Sequence, residues 1–530
     1  MHPWYSAPSA RWLARAAVMA ALLPAGALLG LGGCRANQED LRRWESTAHG
    51  PEKITAILTH AKYDVALRTE AALALVRMKP RAGRQIGVGM LSEALPKVEA
   101  EARPQVLSGL VAGLVAELMK PPPAAQAGQA APADESYAFK DAAFALLTAK
   151  DPALITDPAL QASLESALVS WAMADFEHRF DNRSQTYGMD QVFQYIGAKG
   201  AVGLPNLITK GSRKLDAIVG IVASVGDAKT KEAGSAALVK VATYVNSPEW
   251  MAAKKPELEA ANAASKLQPT QAQFQAQLAQ FQEEELLRVF GAMRKLGGRP
   301  AIDWLLAFAA NASETEKKRQ AALAALELRL DKDNPEDLRR ILAIAAHDAP
   351  DAVLDQVFRR LGELPREQAS SKLYELFSSE KWKVRRAAVS TLLRMSTAKN
   401  LDEIMSKLAL ATKNFAMPEA LTYGALLGEL KELEANKALR RWLTGAPIPV
   451  RTSAISYYYG SGTSADVSFL EPLAKDGARI PACDSDPDCK WACEVAKEGT
   501  QERETKELKT VGEFVKLCVL PAVRQRAPSK

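Results

Sequence analysis

The sequence predicts an all-α fold: an α-α superhelix of stacked helix pairs, ending in a small disulfide-bonded helical cap. Three observations predict it. Ala and Leu dominate the apolar content and aromatics make up only 6%, a balance that favours close-packed helices over sheets. Apolar residues recur at spacings of three and four along most of the chain, as one face of a helix requires. These helices also repeat, because aligning them places Arg319, Leu354, Arg385, Glu419 and Arg451 in one register, 35, 31, 34 and 32 residues apart. A chain of 530 residues exceeds one ordinary core. A period in the thirties filled by two helices answers that length with a stacked array rather than separate domains.

The N-terminus has the layout of an export signal. Arg11 and Arg15 precede an apolar run from Ala16 to Leu31, and no acid occurs before Glu39. Pro24 and Gly26 interrupt the run. Crossing a hydrocarbon core of ~30 Å takes roughly 20 apolar residues, so the run is short for a permanent anchor. It closes on Leu31-Gly32-Gly33-Cys34, after which the chain turns polar. This ending resembles the lipobox of bacterial lipoproteins. The resemblance implies a lipid on the Cys34 sulfur, removal of residues 1–33, and a tether over residues 34–51. An uncleaved anchor or a plain secretory signal is the alternative. Two or more acyl chains make a lasting attachment. Arg35 stands where some lipoproteins carry an Asp that retains them at the inner membrane. By that analogy the protein is expected at the outer membrane of a Gram-negative cell envelope, facing the periplasm.

Residues 52–460 carry the repeats. Their outline is clearest in "ALRTEAALALVRM" (66–78), "KKRQAALAALELRL" (317–330) and "KVRRAAVSTLLRM" (383–395). Weaker copies are "AVLDQVFRRLGEL" (352–364), "MPEALTYGALLGEL" (417–430) and "PVRTSAISYYYG" (449–460). The "VR-x-A-A-x-x-x-L" pattern from Val384 to Leu392, with its counterpart from Leu67 to Val76, resembles the HEAT repeat. The likeness is strong at 52–81 and 285–460 and looser at 95–250, and it implies a HEAT-like solenoid. In "FGAMRKLGGRPAIDWLLAF" (290–308) a helix is expected to end at Gly297-Gly298 and another to follow. "YIGAKGAVGLPNLI" (195–208) has the same logic. Two stretches break the array. "KPPPAAQAGQAAPADES" (120–136) has no buried-face pattern and is expected as a mobile insertion. The Gln-rich stretch 268–287 places Phe274, Leu278 and Phe281 on one stripe of a helix, which is expected to dock on the array itself, a partner helix being the alternative.

Two features mark the C-terminal end. Successive helical residues point about 100° apart, so a core stripe accommodates at most two of Tyr457, Tyr458 and Tyr459. The third ring is expected to face solvent or a partner. Beyond it, residues 461–530 hold Cys483, Cys489, Cys493 and Cys518. Four cysteines in an oxidising compartment predict two disulfides, and their spacing lacks the paired C-x₂₋₄-C of a zinc site. "CKWACEVAKEG" (489–499) and "TVGEFVKLCVL" (510–520) read as helices. Run antiparallel, they favour Cys489 with Cys518 and Cys483 with Cys493, although three connectivities are open.

Catalytic signatures are sparse. Five histidines (His2, His49, His60, His178 and His347) show no metal-ligand spacing, and no His-Glu dipeptide occurs. Phosphate-loop, dinucleotide and nucleophile-elbow motifs are missing from the sequence. Asp175, Glu177, His178 and Asp181 are close enough in sequence to gather, and Asp484, Asp486 and Asp488 alternate as in a calcium loop without its Gly and distal Glu. A net charge of +6 with interspersed signs lacks the clustered basic face of a nucleic-acid binder. No catalytic residue, metal, cofactor or small-molecule substrate is expected. The expected partners are a protein of unknown identity and a membrane, through the lipid on Cys34. The reading that follows is a membrane-anchored periplasmic or surface scaffold or adaptor, since stacked repeats expose a long concave surface. The alternative is an enzyme or enzyme subunit acting on envelope polymers, which needs a carboxylate pair facing a groove.

Overall fold

The computed structural model describes residues 36–78, 87–123, 134–150, 153–181, 185–346, 349–379, 381–411, 433–480, 492–496 and 503–527. Cys34, the apolar run before it, Cys483, Cys489, the aspartates between them and the repeat copy at 417–430 lie outside these residues. So does most of the 120–136 insertion. Among the described residues no helix is long and apolar enough to cross a membrane.

The chain divides into two compact units, the first formed by residues up to Trp171 together with Arg183–Tyr187. Its helices are α1 (Gln38–Glu45), α2 (Gly50–Thr59), α3 (Val65–Arg77), α4 (Val88–Ala94), α5 (Arg103–Leu118), α6 (Ser136–Thr148) and most of α7 (Pro158–Ala174). Here α1, α3 and α5 pack one on the next, and α2, α4 and α6 do the same. The result is two layers with Leu41, Ile54, Leu58, Leu75, Leu110 and Leu114 sealed between and along them.

The second unit continues the pattern. It opens with α8 (Phe176–Phe180), α9 (Met189–Ile196), α10 (Ala198–Ala201) and α11 (Leu215–Val225). Its main stack comprises α12 (Ala228–Val245), α13 (Pro248–Ala264), α14 (Gln271–Leu296), α15 (Arg299–Ala310) and α16 (Glu316–Ala325). The stack continues through α17 (Pro335–Ala346), α18 (Asp351–Leu361), α19 (Arg366–Leu376) and α20 (Trp382–Arg394). After α21 (Leu401–Leu410) come α22 (Leu433–Arg440) and α23 (Ile448–Ser461). One layer runs unbroken through α12, α14, α16, α18 and α20, each packed on the next. Facing it, α15, α17 and α19 each pack on the helix that follows. This two-layer helical solenoid is the HEAT-like fold the repeats predict.

Local chemistry sets the helix ends. Asp64, Asp227 and Thr315 cap α3, α12 and α16 by accepting from backbone N–H groups three residues on, which satisfies donors a helix start leaves open. Thr270 and Gln273 form a reciprocal box at the start of α14. The α14–α15 turn falls at Gly297 and Gly298, with φ of 72° and 91°, as the sequence predicts. A side chain at Gly298 would sit 2.6 Å from the Ser235 Cβ, so only glycine fits.

The repeated arginine has a definite job. Arg68 Nε donates to the Leu58 carbonyl at 2.8 Å, and Arg319 Nε donates to the Ala309 carbonyl at 2.7 Å. Each reaches ten residues back to the C-terminal turn of the preceding helix, where unpaired carbonyls and the helix dipole attract a cation. Arg385 makes a shorter reach, its Nη1 donating to the Ser379 carbonyl in the turn after α19 at 2.6 Å. All three are buried. Arg451 departs from this and pairs with Asp476 at 2.7 Å. On the other layer, Arg299 spans Asp303 and the fully buried Asp337, and Arg340 reaches Asp303 at 2.5 Å. That network ties α15 to α17.

Several boundaries differ from the sequence reading. The helix expected over 317–330 stops at Ala325, and Leu328 turns outward with φ of 56° and 75% exposure. Neighbouring repeats hold this turn: Leu328 N–H donates to Glu363 at 2.8 Å, and Arg329 donates to the Lys295 carbonyl. The stripe on α14 docks on its own neighbour, with Phe274 and Leu278 buried and Phe281 5.4 Å from Trp250. After Gly197 (φ 73°) the chain makes only the short α10 and a 3₁₀ turn at Leu204–Leu207.

A candidate interaction site at the C-terminal end of the array

Helix α23 is enclosed on most of its circumference. Thr452, Ala454, Ile455 and Tyr458 are fully buried, Tyr457 is 4% exposed and Tyr459 is 37% exposed. Two of the three rings lie in the core and one reaches the surface, as helix geometry demands. Tyr458 is the keystone. Its hydroxyl donates to the Asn436 carbonyl at 2.7 Å, and its ring meets Phe469 edge-on at 5.3 Å. Burial pushes its phenol well above the usual tyrosine range, and nearby Asp466 adds to the effect. Asp466 is itself buried, accepting from the Thr463 N–H at 2.9 Å and the Asn436 amide at 3.1 Å.

The terminal helical run lies against α23. It comprises Val511–Phe514, a π turn at Val515–Val519 and Leu520–Arg524. Thr510 and Glu513 box its start, and the backbone N–H groups of Lys509 and Thr510 hold the Glu513 carboxyl below its usual range. Phe514 packs edge-on against Tyr459 at 6.0 Å. Beyond the run, Arg526 donates to the carbonyls of Tyr459 at 2.7 Å and Gly462 at 3.2 Å. It thereby neutralises the open end of α23. Sequence reading missed Arg526, because its acceptors lie more than sixty residues upstream.

The cysteine pairing corrects the sequence expectation. Cys493 bonds Cys518, with Cα atoms 6.2 Å apart, so neither Cys489–Cys518 nor Cys483–Cys493 exists. Within the helix expected over 489–499, the described residues Ala492–Ala496 form a strand instead. β1 (Ala492–Ala496) pairs antiparallel with β2 (Arg503–Glu507), from Ala492 opposite Glu507 to Ala496 opposite Arg503. Pairing and the cross-link to the terminal helix override the helical propensity of the segment. The cap is therefore helical with a β-hairpin stapled to it.

Asp175, Glu177, His178 and Asp181 do not gather into one site. His178 pairs with Asp175 at 2.8 Å, Glu177 accepts from the Arg213 N–H at 2.6 Å, and Asp181 pairs with Lys214. Among the described residues no group of three His, Cys, Asp or Glu is placed to hold a metal ion. A buried pair that sequence reading missed lies in the first unit. Lys140, fully buried, contacts Asp141 at 2.7 Å and donates to the Tyr187 carbonyl. Asp141 accepts from the N–H groups of Thr186 and Tyr187. Desolvation pushes the Lys140 ammonium below its ordinary range against the pull of Asp141. The pair clamps the 185–187 segment to α6.

No protein-family model matches the chain, and no curated protein matches it either. Solved structures resemble it at low identity. One is a homology model of the full-length AP-3 complex in an intermediate open conformation: 13% identity, 83% of this chain and 73% of that one covered, TM-score 0.32. A second is Kap121p bound to Nup53p, at 14% identity and TM-score 0.29, covering 82% of this chain and 43% of that one. An engineered protein aligns at 16% identity over 79% of this chain and 93% of its own, with a TM-score of 0.20. The fold rests on the helix packing itself: this chain is a HEAT-like helical solenoid.

Proposed function

We propose that this protein is a lipid-tethered scaffold of a bacterial cell envelope that holds another protein on its helix stack. The observation that carries the reading is the unbroken layer α12–α14–α16–α18–α20. Each helix adds a parallel strip of surface, so the layer suits an extended polypeptide better than a compact substrate. The tether rests on the Leu31–Cys34 sequence, with Cys34 as the lipidated residue and the outer membrane as its place. Tyr459, the exposed ring of its triplet, is a proposed contact for the partner.

Labelling growing cells with an alkyne fatty acid tests the tether. Wild-type protein is expected to label, and Cys34→Ala to accumulate as an unlabelled, longer precursor; a wild type that takes no label refutes the tether. A photo-crosslinking side chain placed at Tyr459, followed by mass spectrometry, tests the scaffold. A reproducible protein adduct is expected, and its absence from this and other surface positions refutes the scaffold.

A further inference from the structure

The layer surface is not uniform. Between α18 and α20 it opens into a groove of about 450 Å³, within the size range of sites that hold several side chains. Its floor is apolar, formed by Leu354 and Phe358. Its rim is cationic. Arg359 and Arg394 are exposed on opposite walls, and Arg394 is steadied by donating to the hydroxyls of Ser390 at 3.2 Å and Thr391 at 3.3 Å. Lys383 on the rim is already matched by Asp351 across the groove. Arg386 and Asp355 also line the groove. Among the described residues Arg359 has no carboxylate within ion-pair distance, which sets it apart from its counterparts on the layer. Arg294 pairs with Glu327 of the next repeat, and Lys317 with Glu283 of the one before. Among the described residues, Arg359 and Arg394 therefore face the groove with no carboxylate in an ion pair with either.

We propose that the α18–α20 groove binds an acidic segment of the partner polypeptide, its carboxylates on Arg359 and Arg394 and an apolar side chain on the Leu354–Phe358 floor. This deepens the scaffold reading and rests on it. Charge complementarity of this kind sets orientation and association rate, and at an exposed rim it weakens with salt.

The test uses the full mature chain and a fluorescein-labelled hexapeptide of two Glu-Glu-Leu units, with Gln-Gln-Leu and Lys-Lys-Leu versions as controls. Anisotropy is expected to show binding of the acidic peptide alone, weakened by salt. Arg359→Glu/Arg394→Glu is expected to weaken it at least tenfold with an unchanged melting curve. Arg42→Glu/Lys229→Glu, an equal charge change at two exposed positions on other helices, α1 and α12, is expected to leave binding as it was. If the reversal lowers the melting temperature, Arg359→Gln/Arg394→Gln decides on the same criterion. Failure of the acidic peptide to bind, equal loss in the Arg42/Lys229 control, or competition by inorganic phosphate or anionic phosphatidylglycerol vesicles instead of peptide overturns the proposal. In cells, a crosslinked partner retained by the groove variant overturns the groove and leaves the scaffold standing. No partner in the wild type overturns the scaffold itself.

Discussion

The arginine of the repeat register shows how one side chain can organise two helices. Arg319 is 6% exposed and gives its Nε proton to the Ala309 carbonyl. A hydrogen bond from a charged donor to a buried acceptor contributes about 1.5–3 kcal/mol. Arg319→Ala is therefore expected to lower unfolding free energy by about 2 kcal/mol in urea titrations. Arg319→Lys is expected to recover little, because an ammonium lacks the planar fork that both reaches the carbonyl and packs in the stack. The position was legible in the sequence, since Arg319 and Arg385 share the register. Its acceptor follows from the pairing of helices. Lys140 is the opposite case. Nothing in "AFKDAAF" marks a buried lysine, because the groups that stabilise it and Asp141 arrive from residues 186 and 187.

At the scale of elements, the cap and α19 carry the sharpest expectations. Cys493–Cys518 closes a loop with a sequence separation of 25, so removing it by Cys493→Ser/Cys518→Ser is expected to cost about 3.5 kcal/mol on the chain-entropy account. With that bond made, two cysteines of the cap remain beside Cys34, and we predict Cys483 with Cys489. Non-reducing peptide mapping checks both bonds; a free thiol at Cys483 or Cys489 in mature protein refutes the second. On α19, burial pushes the Tyr374 phenol up to about 12, with Glu403 adding to burial and Arg366 opposing it. The folded chain keeps a proton that the unfolded chain releases near its ordinary value of 10.0. Stability is thus fully present below about pH 10 and falls as pH rises toward 12. Tyr374→Phe is expected to flatten part of that fall, read as urea midpoints at about pH 9 and pH 11. The sequence was a good guide to α23, where three consecutive tyrosines cannot share one face. It misled at 489–499, where Trp491, Ala492 and Val495 sit at helical spacings. The strand at Ala492–Ala496 is imposed by β2 and by the bond to Cys518, both of which lie beyond the segment.

For the whole molecule, the periodic signal carried furthest. Helix pairs, glycine turns at Gly297-Gly298 and the docking of the Gln-rich helix all follow from patterns within about forty residues. What escaped the sequence is what the stack brings together from further away: the Arg526 cap on α23, the division into two units, and the groove between α18 and α20. Each depends on which side chains face each other across repeats, which a single repeat's spacing does not record.

The layer α12–α14–α16–α18–α20 has one more consequence. Each of its helices packs on the one before and the one after as well as on the facing helices, so the second unit is held by many contacts between neighbours. A load applied along the stack would be shared pair by pair, and neighbouring pairs could give slightly before any of them unfolds. A stack built in this way suits a spring better than a latch. With the proposed lipid tether at one end, it would keep hold of the proposed partner while the distance between membrane and partner changes.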